Sequence, residues 1–195
     1  AMEHLLGLGH TRIGYIDGVA HLESATSRRK AYLDALRAAG LPVNPDYMQP
    51  GDFLRNSGVL ALRAFAALPE PPTAVFAGND DTSFGLMEEA HALGIDIPGS
   101  LSVVGYDNVP EAAFTRPGLT TIDQEIGQMV KTAMQMLLEL IAGHPLAQDR
   151  VKTSTRLIVR DSCAPPSRPG RSTQGARQGS RGGSARLKGG ALVQP

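Results

Sequence analysis

The stretch VFAGNDD, residues 75–81, decides how this chain is read. An apolar run breaks straight into Asn79, Asp80 and Asp81. Downstream, SVVGYDN (102–108) does the same and ends on Asp107 and Asn108. Short, continuous apolar runs fit strands that are covered on both faces. Between them lies DTSFGLMEEAHALG (81–94), in which Leu86, Ala90 and Leu93 share one helical stripe and Gly94 supplies a stop. A strand, a helix of about a dozen residues and a second strand form a βαβ unit, which requires a parallel sheet.

The same alternation continues outward. RIGYI (12–16) reads as a strand closed by Asp17-Gly18, and TAVFA (73–77) and LSVVGY (101–106) as the two strands of the opening unit. SRRKAYLDALRAAG (27–40) reads as a helix with Ser27 as N-cap, a face of Tyr32, Leu36 and Ala39, and Gly40 with Pro42 as its stop. DYMQPGDF (46–53) holds a short extended piece. SGVLALRAFAALP (57–69) places Leu60, Ala64, Phe65 and Leu68 at helical spacing. LTTID (119–123) is a strand, QEIGQMVKTAMQMLLELIAG (124–143) the longest helix, with Ile126, Val130, Ala133, Leu137 and Leu140 in line, and STRLIV (154–159) a last strand. The expected fold class is α/β, a doubly wound parallel sheet.

The chain has 195 residues, enough for one domain with a real core. No apolar run approaches the roughly 18 residues of a membrane helix. The start, AMEHLLGLGH, lacks the basic segment and apolar centre of a secretory signal. It reads as the middle of a helix, so the chain reads as a fragment. The single cysteine, Cys163, cannot form an internal disulfide, which fits a reducing compartment. Formal net charge is zero, but from Pro166 onward there are six basic residues and no acid. The body up to Pro165 is left with 13 basic and 19 acidic residues, a net of −6. An acidic body is a poor surface for a phosphate backbone. Residues 1–165 therefore read as one unit, and 166–195, rich in Gly, Ser, Arg and Pro, as a disordered basic tail.

In open parallel sheets, ligands bind beyond the carboxyl ends of the strands. Asp17, Asp52 with Phe53, Asn79 with Asp80, and Asp107 with Asn108 all follow extended segments, which places them along one rim. Carboxylates accept hydrogen bonds from ligand O–H or N–H groups. Phe53 can offer a flat apolar face to a ring, and Arg28 a forked donor. Simpler readings compete: Asn79, Asp80 or Asp81 as a helix cap, Asp107-Asn108 as turn residues, Phe53 as core and Arg28 as a solvated charge.

Other chemistry finds little support. GLGHTRIG (7–14) has Arg12 where a dinucleotide loop needs a third glycine, and it precedes a strand. The five histidines, His4, His10, His21, His91 and His144, are scattered without metal-ligand spacing. No nucleophile elbow is present. No catalytic residue, metal or cofactor is expected, and no enzyme.

Taken in order, HLLGLGHTRIGYIDG, SRRKAYLDALRAAGL, GDF, PPTAVFAGND, GIDIPGSLSVVGYDN and RPGLTTIDQ resemble the effector-binding domain of LacI/GalR-family transcriptional regulators, from His4 to Pro166. The resemblance implies a periplasmic-binding-protein-like type I fold, of which this chain holds mainly the C-terminal lobe, with helix 124–143 crossing into a missing lobe. It implies ligand contacts at Arg28, with Arg29 as the alternative register, and at Phe53, Asn79, Asp80 and Asp107. Where the family usually has Gly, this chain has Ala31. The implied function is small-molecule sensing in a cytoplasmic repressor. The effector would be a sugar, or else a nucleobase or nucleoside, and operator DNA would be bound only through a missing N-terminal domain. A homodimer would pair through helix 81–93 and segment 107–117, with no membrane role. The alternative is a periplasmic sugar-binding protein of a transporter.

Overall fold

A computed structural model describes residues 1–167; the tail expectation for 166–195 lies almost wholly outside the described residues. Six strands form one sheet in the order β2-β1-β3-β4-β5-β6. They are β1 (Ile13–Ile16), β2 (Met48–Gln49), β3 (Ala74–Ala77), β4 (Ser102–Asp107), β5 (Thr120–Asp123) and β6 (Arg156–Ile158). β1 to β5 run parallel, and β6 returns antiparallel beside β5, pairing Ile122 with Leu157. The helices are α1 (Met2–Gly7), α2 (Glu23–Ala38), α3 (Arg55–Ala66), α4 (Asp80–Ala92) and α5 (Ile126–Ile141).

The two faces of the sheet carry separate cores, as alternation along the strands requires. Ile13, Tyr15, Ala74, Phe76 and Val104 pack against Met2 and Leu5 of α1 and Tyr32 and Leu36 of α2. Tyr15 and Tyr32 stack with ring centroids 5.0 Å apart, and the Tyr32 hydroxyl donates to the Ile13 carbonyl at 2.8 Å. Burial pushes the Tyr32 phenol up to about 12. Ile16, Val75, Ala77 and Val103 face the other way, onto Ala61, Leu62 and Phe65 of α3 and Leu86 and Ala90 of α4. Each large apolar side chain buried this way contributes about 1.5–3 kcal/mol.

Three local expectations need correction. Helix α2 begins at Glu23, a full turn before Ser27, with Leu22 at its N-cap and no side-chain cap. Burial of Ala25 holds that extra turn, so Arg28 and Arg29 stand in the second turn. In α3 the inward stripe is Gly58, Ala61, Leu62 and Phe65, while Leu60 is exposed. The register is set by a close helix crossing. A Cβ on Gly58 would collide with the Thr82 carbonyl and the Leu86 amide of α4, and one on Gly85 with the Arg55 carbonyl of α3. The two helices touch backbone to backbone. In α4, Leu86 and Ala90 are buried as expected, but Leu93 sits at the C-cap and is exposed.

Helix α5 stands apart. None of its residues is buried, and Ile126, Val130, Leu137, Leu138, Leu140 and Ile141 are all about half exposed or more. Among the described residues, no helix is long and apolar enough to cross a membrane.

Candidate functional site

The strand order 2-1-3-4-5 reverses direction between β1 and β3, and the crevice at such a switch point is where open α/β sheets take ligands. Arg28 reaches into it from the second turn of α2. Its Nη1 donates to the Gly78 carbonyl at the end of β3 at 2.9 Å. Its guanidinium carbon lies 3.7 Å from the centroid of the Tyr106 ring, at the end of β4, and 5.5 Å from that of Phe53. Arg28 is half-buried, and one fixed hydrogen bond leaves most of its donors free. Arg29 points elsewhere and forms an ion pair with Asp17, the buried acid at the end of β1. Asp17 is further engaged by the Gly18 amide at 2.9 Å and the Tyr15 hydroxyl at 3.3 Å. Of the two arginines, Arg28 is therefore the one at the centre of the rim.

Phe53 lies against Gly18, where any Cβ would fall inside the aromatic ring. Glycine at 18 is what lets the ring settle on the end of β1. Asp107 closes β4, half-buried, and its Oδ1 accepts from the Gln124 side chain at 2.5 Å. Burial pushes its carboxyl up, Arg28 draws it down, and Asp80 behind it pushes it up again.

Among the described residues, four other than glycine have positive φ: Phe53 (68°), Asp107 (127°), Asn108 (55°) and Glu125 (50°). Such backbone costs on the order of 1–3 kcal/mol per residue and collects at functional sites. All four lie at or shortly after strand ends on this rim.

Asn79 and Asp80 sit differently from expectation. Asn79 is the N-cap of α4: its Oδ1 accepts from the Thr82 amide at 3.0 Å, and its Nδ2 donates to the Phe53 carbonyl at 2.9 Å. It holds the Phe53 loop in place. Asp80 has no exposed surface. Its Oδ2 accepts from the Val109 amide at 2.9 Å and its Oδ1 from the Thr121 hydroxyl at 2.5 Å. A first-turn helical residue points back over the turn before it, here behind the wall of the crevice. Gly105 leaves the space, since a Cβ there would meet the Asp80 carboxylate. Asp80 is thus an internal brace, and burial pushes its carboxyl up. The sequence reading missed Tyr106 and Gln124. The position of Tyr106, one residue before Asp107 at a strand end, was the available signal. Among the described residues, no group of three or more His, Cys, Asp or Glu side chains is placed to hold a metal ion.

Residues 2–163 match the family described as periplasmic binding protein-like domain. This chain belongs to that family. It is 33% identical over 162 residues to the probable HTH-type transcriptional repressor ExuR of Bacillus subtilis (strain 168), covering 83% of this chain and 49% of that protein. It is 35% identical over 162 residues to the HTH-type transcriptional repressor CytR of Escherichia coli (strain K12), covering 83% of this chain and 48% of that one. A solved complex of the transcriptional regulator CelR with cellobiose superposes with a TM-score of 0.77 at 31% identity, covering 83% of this chain and 50% of that one. LacI-family regulators from several bacteria share the fold. As a member of the periplasmic-binding-protein-like family, the chain spans about half the length of the curated relatives it matches.

Proposed function

We propose that this chain forms one wall of the effector cleft of a LacI-type transcriptional repressor, a cytoplasmic sensor without catalysis of its own. The convergence of Arg28, Phe53, Tyr106 and Asp107 at the switch point of the sheet carries this reading. Asp107 accepts from ligand hydroxyls or ring N–H groups, Arg28 donates to ligand oxygens, and Phe53 covers an apolar ring face. The ligand class is a sugar, with a nucleoside as the second choice. ExuR and CytR are named as transcriptional repressors and CelR as a transcriptional regulator, which weighs against the transport-receptor alternative.

The bare apolar face of α5 is consistent with residues 1–165 being the second lobe and α5 reaching into a first lobe that completes the cleft. Ligand held between two lobes favours one hinge angle, and that angle sets the spacing of DNA-binding heads carried on the first lobe of a dimer. The dimer pairs through α4 and the 3-10 turn Pro110–Ala113. A groove of about 640 Å³ lies there, between Phe84, Met87 and His91 on one side and an exposed Phe114 on the other.

The test is calorimetric titration of the chain with cellobiose, a set of free aldoses and the four ribonucleosides, beside an Asp107→Ala variant. The reading expects binding by at least one compound, weakened in the variant while its unfolding midpoint stays close to the wild type. Equal affinity of the two proteins would sink the assignment.

A further inference from the structure

The two successive left-handed residues at the end of β4 raise a physical question. Asp107 and Asn108 hold φ values of 127° and 55°, and only surrounding structure that over-determines such backbone keeps it in place. Part of that structure is Asp80, through the Val109 amide. The Asn108 amide reaches the Thr121 hydroxyl only at 3.4 Å. The short contact to Asn108 comes from far along the chain. Arg160 Nη2 donates to Asn108 Oδ1 at 2.7 Å.

Arg160 is itself fixed. Its Nη1 donates to the Leu119 carbonyl at 2.7 Å, and its backbone amide donates to the Thr120 hydroxyl at 3.0 Å. The segment after β6 is pinned at the next two residues. The Asp161 amide donates to the Gly118 carbonyl at 2.9 Å, and the Ser162 hydroxyl donates to the Val103 carbonyl at 2.6 Å. The guanidinium therefore bridges a strand carbonyl and the corner side chain as a rigid fork. A lysine ammonium lacks two coplanar donors for that span.

We propose that Arg160 is a positioning residue for the cleft: through Asn108 it locks the corner that aims Asp107 at the ligand. This rests on the reading of the cleft as an effector site. Arg160 makes no hydrogen bond to Arg28, Phe53, Tyr106 or Asp107, so its effect on a ligand is indirect: by contact through Asn108, and by its charge on Asp80 behind Asp107.

Three variants of the whole chain separate positioning from plain stability. Arg160→Met breaks the fork, and Arg160→Lys keeps the charge without the fork. Thr120→Val removes the anchor of the Arg160 amide without touching the corner. The Asp107 carboxyl is followed by carbon-detected NMR titration; Arg28 and Asp80 act on it directly, neutral Gln124 lies alongside, and Asp123, Glu125, Lys131 and Arg156 line the same pocket. In Arg160→Met the corner relaxes into solvent, and the Asp107 titration moves down toward the ordinary aspartate range. Arg160→Lys moves it the same way by less. Affinity for whichever of cellobiose, the aldoses or the ribonucleosides binds the wild type falls about tenfold or more in Arg160→Met, the scale of losing one well-aimed hydrogen bond to a charged group. Thr120→Val, though less stable, keeps both guanidinium contacts and moves either reading by less than Arg160→Lys does. Wild-type titration and affinity in Arg160→Met overturn the proposal, and so does an equal shift in Thr120→Val. If instead Asp107→Ala binds the probes as wild type does, the effector reading itself falls, and with it any role of the corner in binding.

Discussion

The guanidinium of Arg28 sits over the ring of Tyr106, 3.7 Å from guanidinium carbon to centroid, and is tied at one edge to the Gly78 carbonyl. A long, flexible side chain thus meets the cleft already ordered. Ordering an arginine on binding otherwise costs about 0.5–1.5 kcal/mol. Arg28→Ala is expected to weaken effector binding by about 1.5–3 kcal/mol, on the order of ten- to a hundredfold in Kd. Tyr106→Leu leaves the arginine but removes its platform, and a smaller loss of about 0.5–2 kcal/mol is expected. Calorimetry on both variants checks the order. A larger loss in Tyr106→Leu than in Arg28→Ala would show that the tyrosine meets the ligand directly.

His10 gives the fold a pH dependence. Its ring is buried, with Nδ1 2.9 Å from the Thr73 hydroxyl and Nε2 2.9 Å from the Ala164 carbonyl and 3.1 Å from the Ser102 hydroxyl. Burial holds its pKa below the ordinary 6.5. The unfolded chain therefore takes up the proton first, and stability is lost as pH falls below about 6.5 and through the lower folded value. His4, also lowered by burial, acts in the same sense. Urea unfolding at pH 7.5 and at pH 5.5 is expected to give a lower midpoint at the acid pH, and His10→Gln to shrink the difference. An unchanged difference in that variant would remove His10 from the account.

The backbone contact between α3 and α4 makes a sharp stability prediction. Gly58→Ala must push the helices apart or distort one of them. Overpacking of this kind costs about 1–3 kcal/mol, and a clash with backbone falls at the upper end. Gly94, whose added Cβ would meet open space but whose φ is +69°, is the contrasting case. Gly94→Ala there should cost only the strain of the left-handed turn, about 1–2 kcal/mol. Thermal or urea unfolding of the pair ranks them.

Pairing through α4 is testable at Phe114, a residue 78% exposed beside the groove. Phe114→Glu is expected to shift sedimentation from dimer to monomer at concentrations where the wild type pairs. A wild type that stays monomeric at high concentration would count against this face.

The sheet was legible because its strands carry continuous apolar runs. TAVFA and LSVVGY each gave a buried strand within one residue of its ends. Glycine stops at Gly40 and Gly94 likewise marked real helix ends, both with positive φ. The beginning of α2 was hidden because no capping side chain announces it; tertiary burial of Ala25 decides it. The inward face of α3 was misread for a related reason. Leu60 and Ala64 look like a stripe, but Gly58, a residue with no side chain to count, fixes which face turns inward. At the site, strand ends could place Phe53, Asn79, Asp80 and Asp107 on one rim, and the family resemblance added Arg28, but neither could tell the two sides of the rim apart. Asp107 stands on the open side and Asp80 behind it, a distinction set by helix geometry and by the gap at Gly105. Arg160 carried no local signal, since its partner lies 52 residues earlier.

The antiparallel return of β6 beside β5 has a mechanical meaning. The chain leaves the sheet after Asp123 and re-enters at Arg156, and these two residues are direct neighbours across the ladder. Arg156 bonds to the Asp123 carboxylate at 3.1 Å, clasping exit to entry. Everything from Gln124 to Thr155 therefore leaves and rejoins the sheet at one place, through two adjacent strand ends. The backbone at Glu125 is already turned to φ 50° just past the exit. A load placed on α5 would reach the sheet at that one place, where Asp123 is the cross-strand neighbour of Asp107.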